Sequence, residues 1–441
     1  MFFTALLLLM VGYPVAFSFG AVAIVFGLIS AYIEVSGSDF SFLLFSEEFL
    51  SMFSMMPFRI YSIMTNTILI AVPLFIYMGL VLEKSNLAKR LLESMGALFG
   101  NVRGGLAIST ILVGSMLAAS TGVVGASVVA MGVISLPIML KYNYNKSLAA
   151  GTICASGTLG QIIPPSIVLI ILADVFSLPV GDLFAAAIIP SLVLVGSYIV
   201  YVLIIAYLQP TLAPAIPNKE VDKGKKIWKA LKSIIPPLTL IILVLGSILT
   251  GIATPTESAS VGAMGAILLS LLYREFSVEI IMDAAKDTVK ITAMVFTILI
   301  GATAFSLVFV YTGADSLVES FMMSLPGDKW GFLIFSMLVI LFLGFFIDFI
   351  EISYIIVPIL LPIALKIGID PIWFAILIAM NLQTSFLTPP FGFSLFYLKG
   401  VAQSNDLDIK TTDIYKGVTP FILIQIVVLI TIVLFPHIYG F

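Results

Sequence analysis

The sequence predicts an all-α polytopic membrane protein that is built from two halves of the same design. Of its 441 residues, 61% are hydrophobic and 10% are charged, and the mean hydropathy is +1.19. Soluble domains carry about 25% charged residues, so this composition indicates a chain that sits in lipid. The halves are visible as two near-copies, residues 134–141 and 359–366, which lie 225 residues apart. The proline pairs 164–165 and 389–390 have the same separation, so the duplication continues without an insertion.

Charge and composition exclude several classes of function. The net charge of −3 gives no indication of a nucleic-acid partner. Cys154 is the single cysteine, which excludes an internal disulfide, and its glycine-rich apolar setting favours a packing role. The single histidine, His437, lies near the end of the chain, so histidine-based catalytic sets and metal clusters are not expected.

Nine segments have the roughly 20 apolar residues that a helix needs to cross a bilayer. The predicted crossings are 2–30, 65–83, 147–174, 181–208, 232–251, 255–273, 288–312, 371–398 and 418–437. The first apolar run lacks the basic start of a signal peptide, and we expect it to be a retained helix. Two amphipathic segments, 46–62 and 276–287, are predicted to lie along the interface as arms.

Two further apolar stretches, 105–140 and 331–366, are split near their middles by small or polar residues. Each arm has only about 14–18 residues, which is marginal for a full crossing. We therefore predict two re-entrant helical hairpins, whose tips leave helical geometry inside the protein. Each half, 1–208 and 252–441, then holds a crossing, an arm, a crossing, a hairpin, an interrupted crossing and a final crossing. Residues 209–251 supply a linker and one unpaired helix.

The unpaired helix makes the number of crossings between equivalent points odd, so the two repeats are predicted to be inverted. With residue 1 in the cytoplasm, every lysine and arginine falls on the cytoplasmic side except Arg59, Lys329 and Lys366. This distribution is typical of a correct topology. It places Phe441 outside, opens hairpin 105–140 to the cytoplasm and opens hairpin 331–366 to the outside.

The interrupted crossings are the strongest candidate sites. Residues 157–166 read GTLGQIIPPS and residues 383–392 read QTSFLTPPFG. A proline pair removes backbone donors and breaks the helix, so the freed carbonyls can bind a cation. The half-helix that follows offers N–H groups and a positive dipole end to an anion. The alternative is a pair of proline kinks that hold no ligand.

The hairpins contain further candidates. Ser120, Thr121, Gly122 and Ser127 can supply hydroxyls and carbonyls, or can simply allow close helix packing. Acids within membrane segments are costly and tend to be functional, which singles out Asp348, and more weakly the neighbouring Glu351, although either acid can also sit in a wet cavity.

Outside the hairpins, two more polar residues stand in or beside apolar segments. Asn381 can ligate through its amide or can bond to a neighbouring helix. Glu257 begins a helix and is expected to cap it.

Over essentially its whole length the chain resembles the large membrane (M, DctM-type) subunit of tripartite ATP-independent periplasmic (TRAP) transporters. The resemblance is most specific at 157–166, at 381–392, in the TPTE sequence at 254–257, at Gly104-Gly105 and at Asp348. It implies a sodium-coupled, binding-protein-dependent secondary importer of small organic anions, such as dicarboxylates, 2-oxo acids or sugar acids. Such a permease lies in the bacterial or archaeal inner (cytoplasmic) membrane.

The resemblance also implies an elevator mechanism, in which a transport domain (95–174 and 329–400) slides against a scaffold formed by the remainder. The implied partners are Na⁺ as coupling ion, a periplasmic substrate-binding protein, a small membrane (Q-type) subunit and membrane lipids. The sequence has no spare four-helix segment, so we expect the small subunit to be a separate polypeptide.

Carried over by position, the resemblance implies two sodium sites and a substrate pocket. One sodium site would take Ser120, Thr121, Gly122, Gly157 and Thr158, and the other would take Asp348, Thr384, Thr388 and Gly392. The predicted substrate-binding residues are Ser127, Asn381, Gln383, Ser385, Pro164 and Pro389. The chain departs from the family pattern at Gln383-Thr-Ser385, where Glu-Ile-Gly is frequent, and at Ser394, where Asn is common. It also departs at Gln161, where an aliphatic residue is common.

Three other functions remain open at this point. A stand-alone sodium/anion symporter or ion antiporter of the same hairpin fold would need no binding protein. An ion channel would show flux rates beyond those of a carrier. An intramembrane enzyme is disfavoured, because no histidine is expected within the membrane and no Asp/Glu pair is expected on facing helices.

Overall fold

The computed structural model describes residues 1–36, 41–121, 124–216 and 223–441, and the regular secondary structure in these ranges is helical. The helices are α1 (Phe2–Val11), α2 (Val15–Ser36), α3 (Phe42–Phe53), α4 (Met56–Thr65), α5 (Thr67–Lys84), α6 (Leu87–Phe99), α7 (Gly105–Thr121), α8 (Val124–Lys141), α9 (Lys146–Thr158), α10 (Ile167–Phe176), α11 (Val180–Leu208), α12 (Lys223–Leu249), α13 (Pro255–Leu272), α14 (Val278–Tyr311), α15 (Ala314–Met323), α16 (Lys329–Leu343), α17 (Phe349–Glu351), α18 (Val357–Lys366), α19 (Pro371–Leu387), α20 (Phe393–Ser404) and α21 (Thr411–Leu434). Short 3₁₀ turns occupy Leu159–Gln161 and Pro436–Tyr439, and a π-helical turn, Ile352–Ile356, joins α17 to α18.

Within these ranges, nine helical segments are long and apolar enough to cross a membrane. They are Val15–Ser36, Thr67–Lys84, Val124–Lys141, Val180–Leu208, Ala230–Leu249, Pro255–Leu272, Val278–Tyr311, Phe349–Lys366 and Thr411–Leu434. Large apolar side chains such as Leu192, Leu243 and Leu268 stand exposed on them. Helices that are apolar on their outward faces as well as their packed faces belong in lipid. The chain is therefore a multi-pass membrane protein.

Several predicted crossings are confirmed as helices. Segments 65–83, 181–208 and 255–273 form α5, α11 and α13 with ends that shift by at most two residues. Segments 232–251 and 418–437 form α12 and α21, which both begin earlier than predicted. In these segments a long apolar run is sufficient to determine the helix.

The prediction of one helix over 2–30 is wrong, because the chain forms two helices there. Gly12 closes α1 in the left-handed region, with φ of +97°, and its N–H bonds back to the carbonyls of that helix. Pro14 follows directly and has no N–H to continue the ladder. The glycine and the proline together end α1 before α2 begins.

The predicted arm 276–287 and the predicted crossing 288–312 are also one element, the 34-residue helix α14. No glycine or proline occurs between residues 278 and 300, so nothing in the backbone separates an interfacial arm from the helix that follows it. The other predicted arm, 46–62, is divided into α3 and α4, with Pro57 in the first turn of α4.

Two amphipathic helices, α6 and α15, were not predicted. Each directly precedes a hairpin, and their starts are offset by about the same spacing as the sequence repeat. Both are too short and too polar to register as crossings, which is why hydropathy alone does not find them.

Both predicted hairpins consist of two helical arms. In 105–140, α7 and α8 flank residues 122–123, which lie outside the described ranges. In 331–366, α16 ends at Leu343 and helical structure resumes at Phe349. The second arms, Val124–Lys141 and Phe349–Lys366, have 18 residues each, whereas the first arms are shorter. Re-entrance itself remains a prediction.

The chain divides into two compact units, and the first comprises Met1–Leu69 and Lys290–Pro371. In this unit the second half of α14 packs against α2. The rings of Phe19 and Phe305 meet edge to face, with centroids 5.0 Å apart. A Cβ on Gly301 would lie 2.4 Å from the backbone oxygen of Ala16, so only glycine permits this approach.

The second unit comprises Ile70–Val289 and Ile372–Phe441. Here α9 packs against α7, α8 and α21. A Cβ on Gly151 would lie 2.0 Å from the backbone oxygen of Gly417, so α9 and α21 touch backbone to backbone. This unit contains hairpin 105–140 and both interrupted crossings, whereas hairpin 331–366 belongs to the first unit. The predicted transport domain thus draws residues from both units, and its motion remains a prediction.

Candidate functional site

The first interrupted crossing breaks where the sequence predicts it. Helix α9 ends at Thr158, a 3₁₀ turn follows, and α10 starts only at Ile167. Ser166 caps the new half-helix: its Oγ accepts from the N–H of Leu169 at 3.5 Å and donates to the backbone oxygen of Gln161 at 2.7 Å. Ser166 therefore binds one of the backbone carbonyls that the helix break leaves without a partner in the helix.

A second freed carbonyl in this break is bound from another helix. Ser191 of α11 donates from its Oγ to the backbone oxygen of Ile162 at 2.9 Å. The same hydroxyl lies 2.6 Å from the oxygen of Ala187 in its own helix. Two carbonyls of the break are thus bound by serine hydroxyls, one from the break itself and one from α11.

The second interrupted crossing has the same architecture. Helix α19 ends at Leu387, and α20 begins at Phe393. Ser394 donates from its Oγ to the backbone oxygen of Phe386 at 2.8 Å, and Tyr415 of α21 donates to the oxygen of Pro390 at 3.0 Å. Gln161 and Phe386 are equivalent at the repeat spacing, so serine hydroxyls bind equivalent carbonyls in the two halves. The Pro164-Pro165 and Pro389-Pro390 peptide bonds are both cis.

The two breaks are connected through α9 and hairpin 105–140. The Sγ of Cys154 lies 3.6 Å from the backbone oxygen of Ser394, at the start of α20. A Cβ on Gly157 would lie 2.4 Å from the Cγ2 of Val128 in α8, and a Cβ on Gly125 would lie 2.8 Å from the ring of Tyr397 in α20. Small residues therefore bring α8, α9 and α20 into close contact around both breaks.

The first predicted sodium site is described only in part. Gly122 and the side chains of Ser120 and Thr121 lie outside the described part of the chain. Gly157 and Thr158 are buried at the end of α9, and the Oγ1 of Thr158 donates to the backbone oxygen of Ala155 at 2.9 Å. Because its proton is used in that bond, the Thr158 hydroxyl oxygen keeps lone pairs that can face a cation.

Of the second predicted sodium site, Thr384, Thr388 and Gly392 come together in the second break. Thr384 and Thr388 each donate to a carbonyl one turn earlier, at 2.9 Å and 2.7 Å. A Cβ on Gly392 would lie 2.6 Å from the oxygen of Phe386, so the turn needs glycine there. Asp348 belongs to the other compact unit. It caps the helical segment after its own break, where its Oδ1 accepts from the N–H of Phe349 at 2.7 Å.

The predicted substrate-binding residues cluster at the same breaks. Asn381 and Ser385 lie four residues apart on α19, and with Thr384 and Thr388 they follow the spacing of one helix face. Gln383 lies off that face and is fully buried, with no partner for either amide atom. The remaining predicted residues, Ser127 on α8 and Pro164 and Pro389 in the two breaks, all lie in the second unit.

Sequence reasoning missed several residues that shape the site. Ser166 could have been found, because a hydroxyl directly after a proline pair and before an apolar run predicts a helix cap. Ser191 and Tyr415 carry no such signal, since their acceptors lie 29 and 25 residues away. Gln161, which is fully buried with both amide atoms unpartnered, is recognised in the sequence only as a departure from the family pattern and not as a site residue.

Comparison with known proteins assigns the chain to a family. The profile described as "Tripartite ATP-independent periplasmic transporter, DctM component" matches residues 2–438. The C4-dicarboxylate TRAP transporter large permease protein DctM of Pseudomonas aeruginosa is 31% identical over 374 residues, which cover 83% of this chain and 84% of that protein. The isethionate TRAP transporter permease protein DctMQ of Oleidesulfovibrio alaskensis is 31% identical over 377 residues, which cover 84% of this chain and 57% of that protein.

A solved structure shares the fold. The crystal structure of the Alcanivorax borkumensis YdaH transporter aligns with a TM-score of 0.66 and 12% sequence identity, over 98% of each chain. At that identity the likeness concerns the fold alone. The family assignment rests on the profile and on the relatives. Both confirm the family resemblance that is most specific at the two breaks, 157–166 and 381–392. The chain therefore belongs to the DctM component family of tripartite ATP-independent periplasmic transporters, as a multi-pass permease.

Proposed function

We propose that this chain is the permease of a sodium-coupled importer of a small organic anion. The observation that carries the proposal is the pair of matching helix breaks in one compact unit. In each, threonine hydroxyls at the end of the first half-helix donate their protons to backbone carbonyls and present lone pairs, as a sodium site requires. In each, a second half-helix begins beyond the prolines and offers N–H groups to an anion.

The family implies a periplasmic binding protein and a small membrane subunit as partners. One relative is named as a DctMQ permease, so whether the small subunit is a separate chain varies. For this chain we propose a separate small subunit, in line with the relatives that are named as large permease proteins. We further propose the bacterial inner membrane as its location, with elevator motion of the transport domain.

Transport in proteoliposomes tests this proposal. The chain is reconstituted with its small subunit and binding protein, and the ligand that co-purifies with the binding protein is identified by mass spectrometry and used as substrate. We expect uptake only with an inward sodium gradient and only with the binding protein present. Uptake that is independent of sodium would contradict the coupling, and uptake by the chain alone would favour a stand-alone symporter.

Substitution of the threonines tests the ion sites in the same assay. Thr158→Ala and Thr388→Ala each remove one predicted ligand, so the half-maximal sodium concentration should rise about tenfold, as expected when one oxygen ligand is lost. Thr419→Ala is the matched control, because the exposed Thr419 of α21 makes the same kind of bond to a carbonyl one turn earlier, at 2.8 Å. An unchanged sodium titration in both site variants would remove these hydroxyls from the site.

A further inference from the structure

Two buried glutamines stand at the breaks with unused hydrogen-bonding groups. Gln161 and Gln383 are both fully buried, and neither the Nε2 nor the Oε1 of either residue has a hydrogen-bond partner. A buried amide without partners costs stability, because it loses its water and gains nothing in return. Such groups in a native protein need an explanation, and one explanation is a functional role in which a ligand supplies the missing partner.

Both residues are fixed in place by their surroundings. The backbone oxygen of Gln161 is held by the Oγ of Ser166 at 2.7 Å. The residue before it packs tightly on hairpin 105–140, where a Cβ on Gly160 would lie 2.6 Å from the backbone oxygen of Ala118. Gln383 lies one turn before Phe386, whose carbonyl is bound by Ser394. The two amides therefore stand on backbone that is already anchored at each break.

The chemistry of an amide restricts what can satisfy it. Its Nε2 donates two hydrogen bonds and its Oε1 accepts. An ionised carboxylate only accepts, so a plain dicarboxylate would bind the Nε2 groups and leave both Oε1 atoms buried and unpaired. A sodium ion would satisfy an Oε1 but not an Nε2. A ligand that carries a hydroxyl or amide beside its carboxylate satisfies both kinds of atom.

From this we infer that Gln161 and Gln383 are specificity-determining residues, which hydrogen-bond the transported substrate and select one that carries a donor group, such as a hydroxyl, beside its carboxylate. The inference rests on the proposed anion transport and adds the substrate class. Sites built around buried polar groups reject an analogue that lacks the matching group, because the protein atoms are then left unpaired.

Pairs of acids that differ by one hydroxyl test the selection. The full chain is purified in lipid nanodiscs with sodium chloride, and its thermal unfolding midpoint is measured against L-malate and succinate, 2-hydroxyglutarate and glutarate, and L-lactate and propionate. For at least one pair, the hydroxy acid should reach half-maximal stabilisation at a concentration about tenfold lower or less. Gln161→Leu and Gln383→Leu should each reduce this difference to about twofold or less.

A second readout needs no ligand. In the free protein, replacing an unpartnered buried amide by the similarly sized leucine should raise the unfolding midpoint by about 1–2 °C. A glutamine that only holds helices together would instead give a lower midpoint when it is replaced. Gln425→Leu is the control for the selection experiment, because Gln425 is also fully buried but lies in the middle of α21. Its replacement should leave the hydroxyl preference intact.

Each other outcome has a defined meaning. The inference is overturned if the wild-type protein responds equally to both members of every pair or to none, or if both leucine variants lower the midpoint of the free protein. It is also overturned if the variants shift the sodium dependence and keep the hydroxyl preference, since the amides would then face the cation. Sodium-driven uptake of the binding protein's own ligand would still support the proposed function in each of these cases.

Discussion

Two backbone carbonyls, those of Gln161 and Phe386, mark equivalent points in the two repeats, and each accepts a hydrogen bond from a serine hydroxyl. The serines themselves are not equivalent, since Ser166 precedes α10 whereas Ser394 lies inside the first turn of α20. The repeats have therefore retained the bond while changing the residue that makes it. A freed carbonyl in a membrane protein needs some donor, which explains why the bond is the constant feature.

Replacing Ser394 tests whether this bond supports the break. Ser394→Ala leaves the Phe386 carbonyl without its hydroxyl donor, and we expect a loss of about 1 kcal/mol of stability. The thermal unfolding midpoint of the purified protein measures the loss. Ser197→Ala is the control, because the half-buried Ser197 donates to a carbonyl within its own helix α11. Equal midpoints for the two variants would show that the Phe386 carbonyl does not depend on Ser394.

At the residue scale, the sequence predicts where the helices break better than it predicts what the residues at the breaks touch. Thr388 and Gly392 flank the Pro389-Pro390 pair, and Thr158 and Thr384 precede a proline pair by six and five residues. The Cys154 contact with the Ser394 carbonyl spans 240 residues, and no local pattern indicates it. Such contacts are set by how α9 and α20 pack, which depends on the whole unit.

At the scale of the elements, helices α9 and α21 approach each other most closely at Gly151 and Gly417. A Cβ on Gly417 would lie 1.9 Å from the backbone oxygen of Ser147, and a Cβ on Gly151 would lie 2.0 Å from that of Gly417. Both of these oxygens belong to the backbone, so no side-chain rotation can relieve the steric overlap. Without a hydrophobic effect between helices in lipid, this close packing is a main source of helix association.

A larger side chain at this contact should therefore destabilise the second compact unit. Gly151→Ala forces α9 and α21 apart and should destabilise the protein by about 1–3 kcal/mol, as overpacking typically does. Gly196→Ala is the control, because no atom of the described residues lies within 4 Å of the corresponding Cβ on α11, and alanine favours a helix over glycine by about 1 kcal/mol. Thermal unfolding should thus move in opposite directions for the two variants, and a shared direction would contradict the packing argument.

The elements that the sequence predicts correctly are those that hydropathy and proline determine together. Helices α5, α11 and α13 follow from their apolar runs, and both breaks follow from their proline pairs. The predictions for α14 and for 2–30 are wrong, because a change in polarity does not end a helix, whereas a glycine followed closely by a proline does. Helices α6 and α15 were missed because an amphipathic helix of ten to thirteen residues resembles a loop in hydropathy.

For the whole molecule, the sequence repeats and the compact units do not coincide. The first unit combines α1 to α4 from the first half with the end of α14 and α15 to α18 from the second, and the second unit holds both interrupted crossings. Each unit therefore needs both halves of the chain. A duplication detected in the sequence identifies equivalent elements, but it does not show which elements pack together.

The orientation of the whole chain in the membrane is predicted from its lysines and arginines and is open to direct test. Ser324, which follows α15, should lie outside, because the nearby Lys329 belongs to the side that is poor in basic residues. Ser404, at the end of α20, should lie in the cytoplasm beside Lys399 and Lys410. Both serines are exposed, and the single native cysteine, Cys154, is buried.

Maleimide labelling of single introduced cysteines measures this orientation. In a Cys154→Ala background, Ser324→Cys should react with a membrane-impermeant maleimide in intact cells whose outer membrane has been permeabilised. Ser404→Cys should react only after the inner membrane is opened as well. The reverse pattern would invert the topology, and labelling of both sites in intact cells would mean that an even number of crossings separates them. Because only α16 to α20 lie between the two serines, that outcome would require either hairpin 331–366 or the interrupted crossing 371–398 to be reassigned.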